Sequence, residues 1–325
     1  MLALPSDAPV RQRRDDRPGY RPYRAVVARI ITLTPHFTRV TFTGPQLDRF
    51  GTDGLDQRIK IVLPLERIGF ADFGTDDEES LRAGDWYTRW RELPDAQRNP
   101  FRTYTVRAVR PADSEIDVDF VAHTDDADGA LPGPAALWLA DAVAGNEVII
   151  VGPDALSIHS GGGIDFHPGT ATEILLAGDE TAAPAICSIL ESLAPGIRAR
   201  AFIEVPSSAD ELAVTTAADV RITWIARDTS ATTLDRAVRD WVDGNRGIVA
   251  PVLASERQVL EEIDVDVDIL WDSPEEADGN SFYAWLAGES AMIKLLRRFL
   301  VSETGIDRSR VAFMGYWRRG KAEAQ

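Results

Sequence analysis

A chain of 325 residues is long enough for about two domains of ordinary size, and with 44% hydrophobic and 27% charged residues it falls outside the disordered, collagenous and low-complexity classes. Its 35 basic and 52 acidic residues leave −17, a balance that opposes attraction to a phosphate backbone and excludes nucleic acid as a partner. The single cysteine, Cys187, excludes an intrachain disulfide framework, and His36, His123, His159 and His167 are too scattered for a zinc-type spacing.

Residues 1–21 are polar and rich in Arg, Asp and Pro, and read as a flexible tail. Arg13-Arg14 is followed by Asp15, Asp16 and Arg17 where an export signal needs an apolar stretch. No apolar run is long enough to span a bilayer, so the expectation is a soluble, cytoplasmic protein without a membrane partner. Tyr23–Thr32, Thr38–Thr43, Arg58–Leu63, Arg102–Val109 and Ile116–His123 are short Val/Ile/Thr/Phe-rich segments set between Gly, Pro and Asp, the pattern of consecutive β-strands. Glu66–Pro100 interrupts them as a long excursion, with Asp76-Asp77-Glu78-Glu79 as a solvated loop. Pro134–Ala142 reads as a short helix, and Glu147–Val151 as the sixth strand, closing a small antiparallel barrel.

Periodicity breaks within Gly152–Thr172, around Gly161-Gly162-Gly163 and Pro168-Gly169. Beyond it strand and helix alternate: Ile174–Ala177 strand, Ala182–Leu193 helix, Ala199–Val205 and Arg221–Ala226 strands, Leu234–Val242 helix, Phe282–Ala287 strand, Ser290–Ser302 helix and Val311–Tyr316 strand. Such alternation argues for a mostly parallel sheet covered by helices. The expected division is tail 1–21, barrel 22–155, linker 156–172 and α/β domain 173–325.

An antiparallel barrel followed by an α/β domain is the layout of ferredoxin-reductase-like flavoenzymes, and Arg102-Thr103-Tyr104-Thr105 resembles their Arg-x-Tyr-Ser/Thr motif. Arg102 and Tyr104 share one face of a strand, which sets a guanidinium for a diphosphate next to a ring for a flavin. Asp119-Phe120-Val121-Ala122-His123 follows, and then Gly133-Pro134-Ala135-Ala136, whose small residues at a helix start suit an anion. Ala177-Gly178-Asp179-Glu180-Thr181-Ala182-Ala183-Pro184-Ala185-Ile186 is a strand, a turn and a helix entry, without the G-x-G-x-x-G fingerprint. Trp285-Leu286-Ala287-Gly288-Glu289 and Gly315-Tyr316-Trp317-Arg318 complete the series.

Taken in order, these strings resemble the siderophore-interacting protein family, the FAD-containing ferric-siderophore reductases. Two departures are visible: Thr124–Pro132 intervene between His123 and Gly133-Pro134-Ala135, and Ile158–Thr170 is long. The resemblance implies a six-stranded antiparallel FAD-binding β-barrel followed by an NAD(P)H-binding-like α/β domain. It assigns Arg102, Thr103, Tyr104, Thr105, Asp119, Phe120, Val121, His123, Ala135, Ala136, Glu180, Thr181, Ala182 and Trp317 to FAD and nucleotide. It assigns Lys60, Arg318, Arg319 and Lys321 to an anionic ferric siderophore. NAD(P)H or reduced ferredoxin is the implied electron donor, no metal site is expected, and the expected state is a monomer. A general NAD(P)H–flavin or ferredoxin-type oxidoreductase, and a non-redox flavoprotein that binds a siderophore, stay open as alternatives. Charge is unevenly placed: residues 1–110 hold 19 basic and 15 acidic residues (+4), 111–292 hold 8 and 34 (−26), and 293–325 hold 8 and 3 (+5).

Overall fold

In the first half, apolar residues at every second position lay down β1 (Tyr20–Thr32), β2 (Phe37–Thr43) and β3 (Arg58–Val62). Helices α1 (Glu78–Ala83) and α2 (Trp86–Glu92) come next. Then follow β4 (Phe101–Thr105), β5 (Ala108–Arg110), β6 (Glu115–Val121), α3 (Pro134–Asp141) and β7 (Glu147–Pro153). The structure is a computed structural model and describes residues 13–122, 133–261, 263, 270–274 and 281–319. His123, the 124–132 stretch and Lys321 lie outside the described residues.

All seven strands pair antiparallel, in the order β4-β3-β7-β1-β2-β6-β5. The sheet therefore has seven strands and not the expected six, because Arg102–Val109 is two strands. Val106 N–H donates to Gln57 O at 3.1 Å, beside β3, and Arg107 N–H donates to Asp117 O at 2.9 Å, on β6. Neighbouring residues thus bond to opposite edges of the sheet, which curls it into a barrel. Tyr23, Val27, Val40, Phe42, Ile59, Ile61, Val118, Phe120 and Ile150 fill the interior. Tyr20 and Arg21, read as tail, are the first residues of β1.

The excursion over residues 66–100 is a packed cover with two helices that the sequence did not announce. Asp77 caps α1 by accepting from Glu79 N–H at 3.0 Å, and Gly84, at φ 72°, ends it in the left-handed conformation. From α2, Trp90 is buried against Phe73, Phe101, Val62, Ile149 and Val151, and its indole N–H donates to Asn99 O at 2.9 Å. The acidic run has structural employment too, since Asp76 pairs with Arg24 at 2.6 Å.

The second half contains β8 (Glu173–Gly178), α4 (Ala183–Ser192), β9 (Arg198–Val205), β10 (Asp219–Ala226), α5 (Leu234–Gly244) and α6 (Arg246–Val249). It continues with β11 (Trp271–Asp272), β12 (Phe282–Glu289), α7 (Ser290–Arg297) and β13 (Val311–Trp317). Sheet order is β10-β9-β8-β12-β13-β11, parallel throughout except for the short β11, which the sequence did not foreshadow. The expected Ser290–Ser302 helix is α only to Arg297 and widens into a π-helical stretch over Arg298–Glu303. Strand order runs outward in one direction from β8 and in the other from β12, so the topological switch point lies between their carboxyl ends.

Polar contacts set one half against the other. Asp56, fully buried ahead of β3, accepts from Asp165 N–H (3.0 Å), Phe166 N–H (3.2 Å) and the Trp285 indole N–H (2.9 Å); burial raises its pKa above the usual carboxylate value. His36 Nδ1 lies 2.7 Å from buried Asp210, and Arg107 forks onto Glu191 of α4 at 2.6 and 2.7 Å. Among the described residues no helix is long and apolar enough to cross a membrane, and no His/Cys/Asp/Glu group is placed to hold a metal ion.

Candidate active site

The residues singled out in the sequence fall into two groups. The first lies on the barrel. The Tyr104 ring rests 4.3 Å, centroid to centroid, from Phe120, and Phe120 lies 5.7 Å from Trp138 of α3. Phe120 thereby links Tyr104 of β4 to Trp138 of α3. Arg102 donates only to the neighbouring Phe101 O (2.7 Å) and has no carboxylate partner among the described residues. Arg39, Arg107 and Arg110 of the same half, by contrast, are all ion-paired. At α3 the cap is Gly133, Pro134 has no N–H to give, and no acidic residue stands in the first turn. Among the described residues the N–H groups of Ala135 and Ala136 take no partner, as the first turn of a helix leaves them. An unpaired guanidinium, two open N–H groups and a half-buried phenol ring fit a diphosphate-bearing aromatic group such as FAD.

Other expected residues on the barrel are occupied differently. Asp119 is buried, forked by Arg39 at 2.7 and 2.8 Å and approached by Arg107 at 3.6 Å, so its carboxylate belongs to the ion network that leads to α4. Val121 packs against the core of the second half. Thr105 is buried opposite Arg58, whose guanidinium lies 4.2 Å over the Trp271 ring and 2.8 Å from Asp165. Lys60 points outward, away from the inward Ile59 and Ile61, and its Nζ sits 2.5 Å from Thr103 Oγ1 and 5.1 Å from the Phe101 ring centroid.

The second group gathers at the switch point around Asp179, which the sequence reading quoted without assigning it a role. Its buried carboxylate accepts from Thr181 N–H (2.9 Å), Thr181 Oγ1–H (2.5 Å), Glu289 N–H (2.7 Å) and the Trp317 indole N–H (2.7 Å). Asp179 thus joins the carboxyl ends of β8, β12 and β13. Gly288 (φ 146°) makes this possible, because a Cβ there would stand 2.6 Å from Asp179 Oδ2. Burial, reinforced by the adjacent Glu180 carboxylate, pushes the Asp179 pKa up to about 6 against the pull of those four donors. Glu180 is itself buried and held by Arg227 through two bonds of 2.7 Å. Ala182 is fully buried. Tyr316 stacks on Trp271 at 5.9 Å, so the end of β13 lies against the Arg58–Thr105 corner of the barrel, with Trp317, Arg318 and Arg319 following.

The architecture is an antiparallel barrel abutting a mostly parallel sheet near its switch point. The ferredoxin reductase in carbazole 1,9a-dioxygenase shares the fold (TM-score 0.52, 14% identity, 92% of this chain and 70% of that one). Residues 26–157 match the siderophore-interacting FAD-binding domain, and residues 171–320 match the siderophore-interacting protein family. An uncharacterized Mycobacterium tuberculosis protein is 33% identical over 304 residues, spanning 90% of this chain and 88% of its own. Ferric vibriobactin reductase ViuB of Vibrio cholerae is 28% identical over 291 residues, 90% and 87% of the two chains. The siderophore-interacting protein SipS of Aeromonas hydrophila superposes with a TM-score of 0.63 at 26% identity, over 94% of this chain and 95% of that one. The chain belongs to the siderophore-interacting protein family and is an FAD-binding oxidoreductase with the ferredoxin-reductase fold.

Proposed function

We propose that the protein is a ferric-siderophore reductase, which takes electrons from NAD(P)H or reduced ferredoxin and passes them through FAD to an Fe(III)–siderophore, releasing Fe(II) in the cytoplasm. The observation that carries this reading is the packing of Tyr104 on Phe120 and of Phe120 on Trp138 of α3, with Arg102, on the same face of β4 as Tyr104, lacking a carboxylate partner among the described residues. Bound there, FAD supplies the adaptor between two-electron and one-electron donors and a one-electron acceptor. Arg102 and the α3 N-terminus hold the diphosphate; Thr103, Tyr104 and Thr105 flank the ring; Trp317, held by Asp179, covers its exposed side. Asp119, through Arg39, keeps β6 and its Phe120 and Val121 in place, and His123 is a further FAD contact on the family resemblance alone. Glu180, Thr181 and Ala182 border the donor's approach.

Lys60, Arg318, Arg319 and Lys321 form the cationic border for the anionic chelate. Fe(III) prefers hard anionic oxygen donors, and reduction weakens that grip, so the chain needs no iron ligand of its own. On this reading residues 22–155 are the flavin barrel, 156–172 the connection and 173–325 the α/β domain, and the protein works as a monomer. The test is to reduce the purified yellow protein anaerobically, add a ferric siderophore and trap the product with a ferrous-specific chromogenic chelator. Flavin reoxidation with matching Fe(II) is expected. Siderophore binding without Fe(II), or turnover with electron carriers alone, overturns the proposal.

A further inference from the structure

We propose that a cavity of about 260 Å³ between the start of β1, helix α1 and the turn after β7 binds a small organic phosphate. Four arginines from four separate segments line it: Arg17 ahead of β1, Arg21 at its start, Arg49 at the end of the single turn Leu47–Arg49, and Arg82 in the last turn of α1. None of them is among the residues assigned to FAD or to the siderophore.

Arg21 is the deepest of the four. It shares the inward face of β1 with Tyr23 and lies opposite Gly152, which has no side chain, and its guanidinium sits 5.0 Å over the Tyr23 ring. Although Arg21 is only 8% exposed, its bonds go to uncharged oxygens, Gln46 Oε1 at 2.7 Å and Pro22 O at 3.4 Å. Among the described residues its Nη1 takes no partner and no carboxylate pairs with it. Arg49 and Arg82 make no ion pair there either. A charge taken out of water without a counter-ion is costly, and an anion entering the cavity removes that cost.

Arg17, by contrast, already has its partners. It forks onto Asp15 at 2.6 and 2.7 Å and stands 3.9 Å from Asp154, whose other oxygen accepts from Leu156 N–H at 2.9 Å. With Arg17 set against Asp154, the wall keeps three guanidinium groups and Glu78, an excess of two positive charges. A phosphate monoester carries about −1.5 to −2 charges at pH 7 and three strong acceptor oxygens, so it matches both that excess and the three unpaired guanidinium groups. Leu81 and Leu156 add an apolar wall, which a bare anion does not use. The volume lies below the ~300–1,000 Å³ of drug-sized ligand sites, so the organic part is small.

The site is also built in advance. Asp15 N–H donates to Leu156 O and Ile158 N–H to Asp15 O, both at 2.8 Å, and Ser157 Oγ–H donates to Arg17 O at 2.6 Å. These bonds tie the segment ahead of β1 to the turn after β7, so less ordering is left for the ligand to impose.

The test is isothermal titration of the full FAD-loaded chain with glycerol 3-phosphate, inorganic phosphate, sulfate and citrate. Glycerol 3-phosphate is expected to bind saturably with a Kd below about 1 mM, and more tightly than the other three. Arg21→Met keeps the apolar stem over Tyr23 and removes the charge, and is expected to weaken that binding at least ~10-fold with FAD content unchanged. Arg82→Ala, at an exposed position, serves if the Arg21 variant melts early. Lys60→Ala, on the siderophore border, is expected to bind the probe as the native chain does. No saturable binding of glycerol 3-phosphate, equal affinity in the native chain and in the folded variants, or loss of binding in Lys60→Ala overturns the proposal. Sulfate or inorganic phosphate binding as tightly as the ester would make the cavity a site for an adventitious ion only, and tighter citrate would make it a polycarboxylate site; either result overturns the assignment to an organic phosphate.

Discussion

Arg102 and Asp179 carry opposite lessons about what a residue's surroundings do to its charge. Among the described residues Arg102 on β4 has no carboxylate partner, and a charge-assisted fork to an anion contributes about 1.5–3 kcal/mol. Arg102→Ala is therefore expected to weaken FAD binding about 10–100-fold. The check is the flavin-to-protein ratio after dialysis, with circular dichroism as the control on fold; full flavin retention removes Arg102 from the cradle. Asp179, buried beside Glu180, takes up its proton near pH 6, above the 3.8 of an ordinary aspartate. Its folded pKa is raised, so its contribution to stability is complete below about 3.8 and is lost as pH rises through about 6. Above pH 6 the ionised carboxylate is the better acceptor for the Trp317 and Glu289 N–H groups, and below it Trp317 loosens. The fluorescence difference between the native chain and Trp317→Phe should titrate near pH 6, and a flat difference from pH 5 to 8 refutes the coupling. The spacing of Arg102 and Tyr104 was legible in the sequence because strand periodicity fixes a shared face. The clasp at Asp179 was not, because its four donors come from three separate strands' ends.

At the scale of elements, strands were easier to read than helices. Alternation marked β1, β2, β3, β6 and β7 within a few residues, and the α/β alternation marked β8, β9, β10, β12 and β13. Helices α1 and α2, of six and seven residues, are too short to show a 3.6-residue period; Asp77 caps the first and buried Trp90 anchors the second. The break between β4 and β5 was hidden because both pieces are apolar-alternating and only the change of partner strand separates them. Since Trp90 is the centre of the cover over β3, β4 and β7, Trp90→Ala is expected to cost about 3–5 kcal/mol, through lost burial and an unpaired Asn99 carbonyl. A urea melt followed by circular dichroism measures it. A loss under about 1 kcal/mol would make the excursion a loose flap and not part of the barrel.

For the whole molecule, the barrel-plus-parallel-sheet plan and the uneven charge were readable from composition and order, but the way the halves meet was not. That junction is made of polar groups far apart in sequence, Asp56 with Trp285, His36 with Asp210 and Arg107 with Glu191, and no local pattern links such partners. The junction also sets the Trp317 end of β13 against the Arg58–Thr105 corner of the barrel, which the proposed function requires. Asp56 is its most consequential member: one buried carboxylate satisfies two backbone N–H groups of the connecting segment and the indole of β12. Removing it leaves three buried donors without a partner, each costing about 1–3 kcal/mol. Asp56→Ala is accordingly expected to lose about 3–5 kcal/mol, to open the 156–172 segment to protease before either half is cut, and to release FAD. Those three effects should appear together, since each follows from separation of the halves. Protease resistance equal to the native chain, with FAD still bound, would mean that the junction is held by the apolar contacts of Phe37 and Val121 with the second core and that Asp56 is dispensable to it.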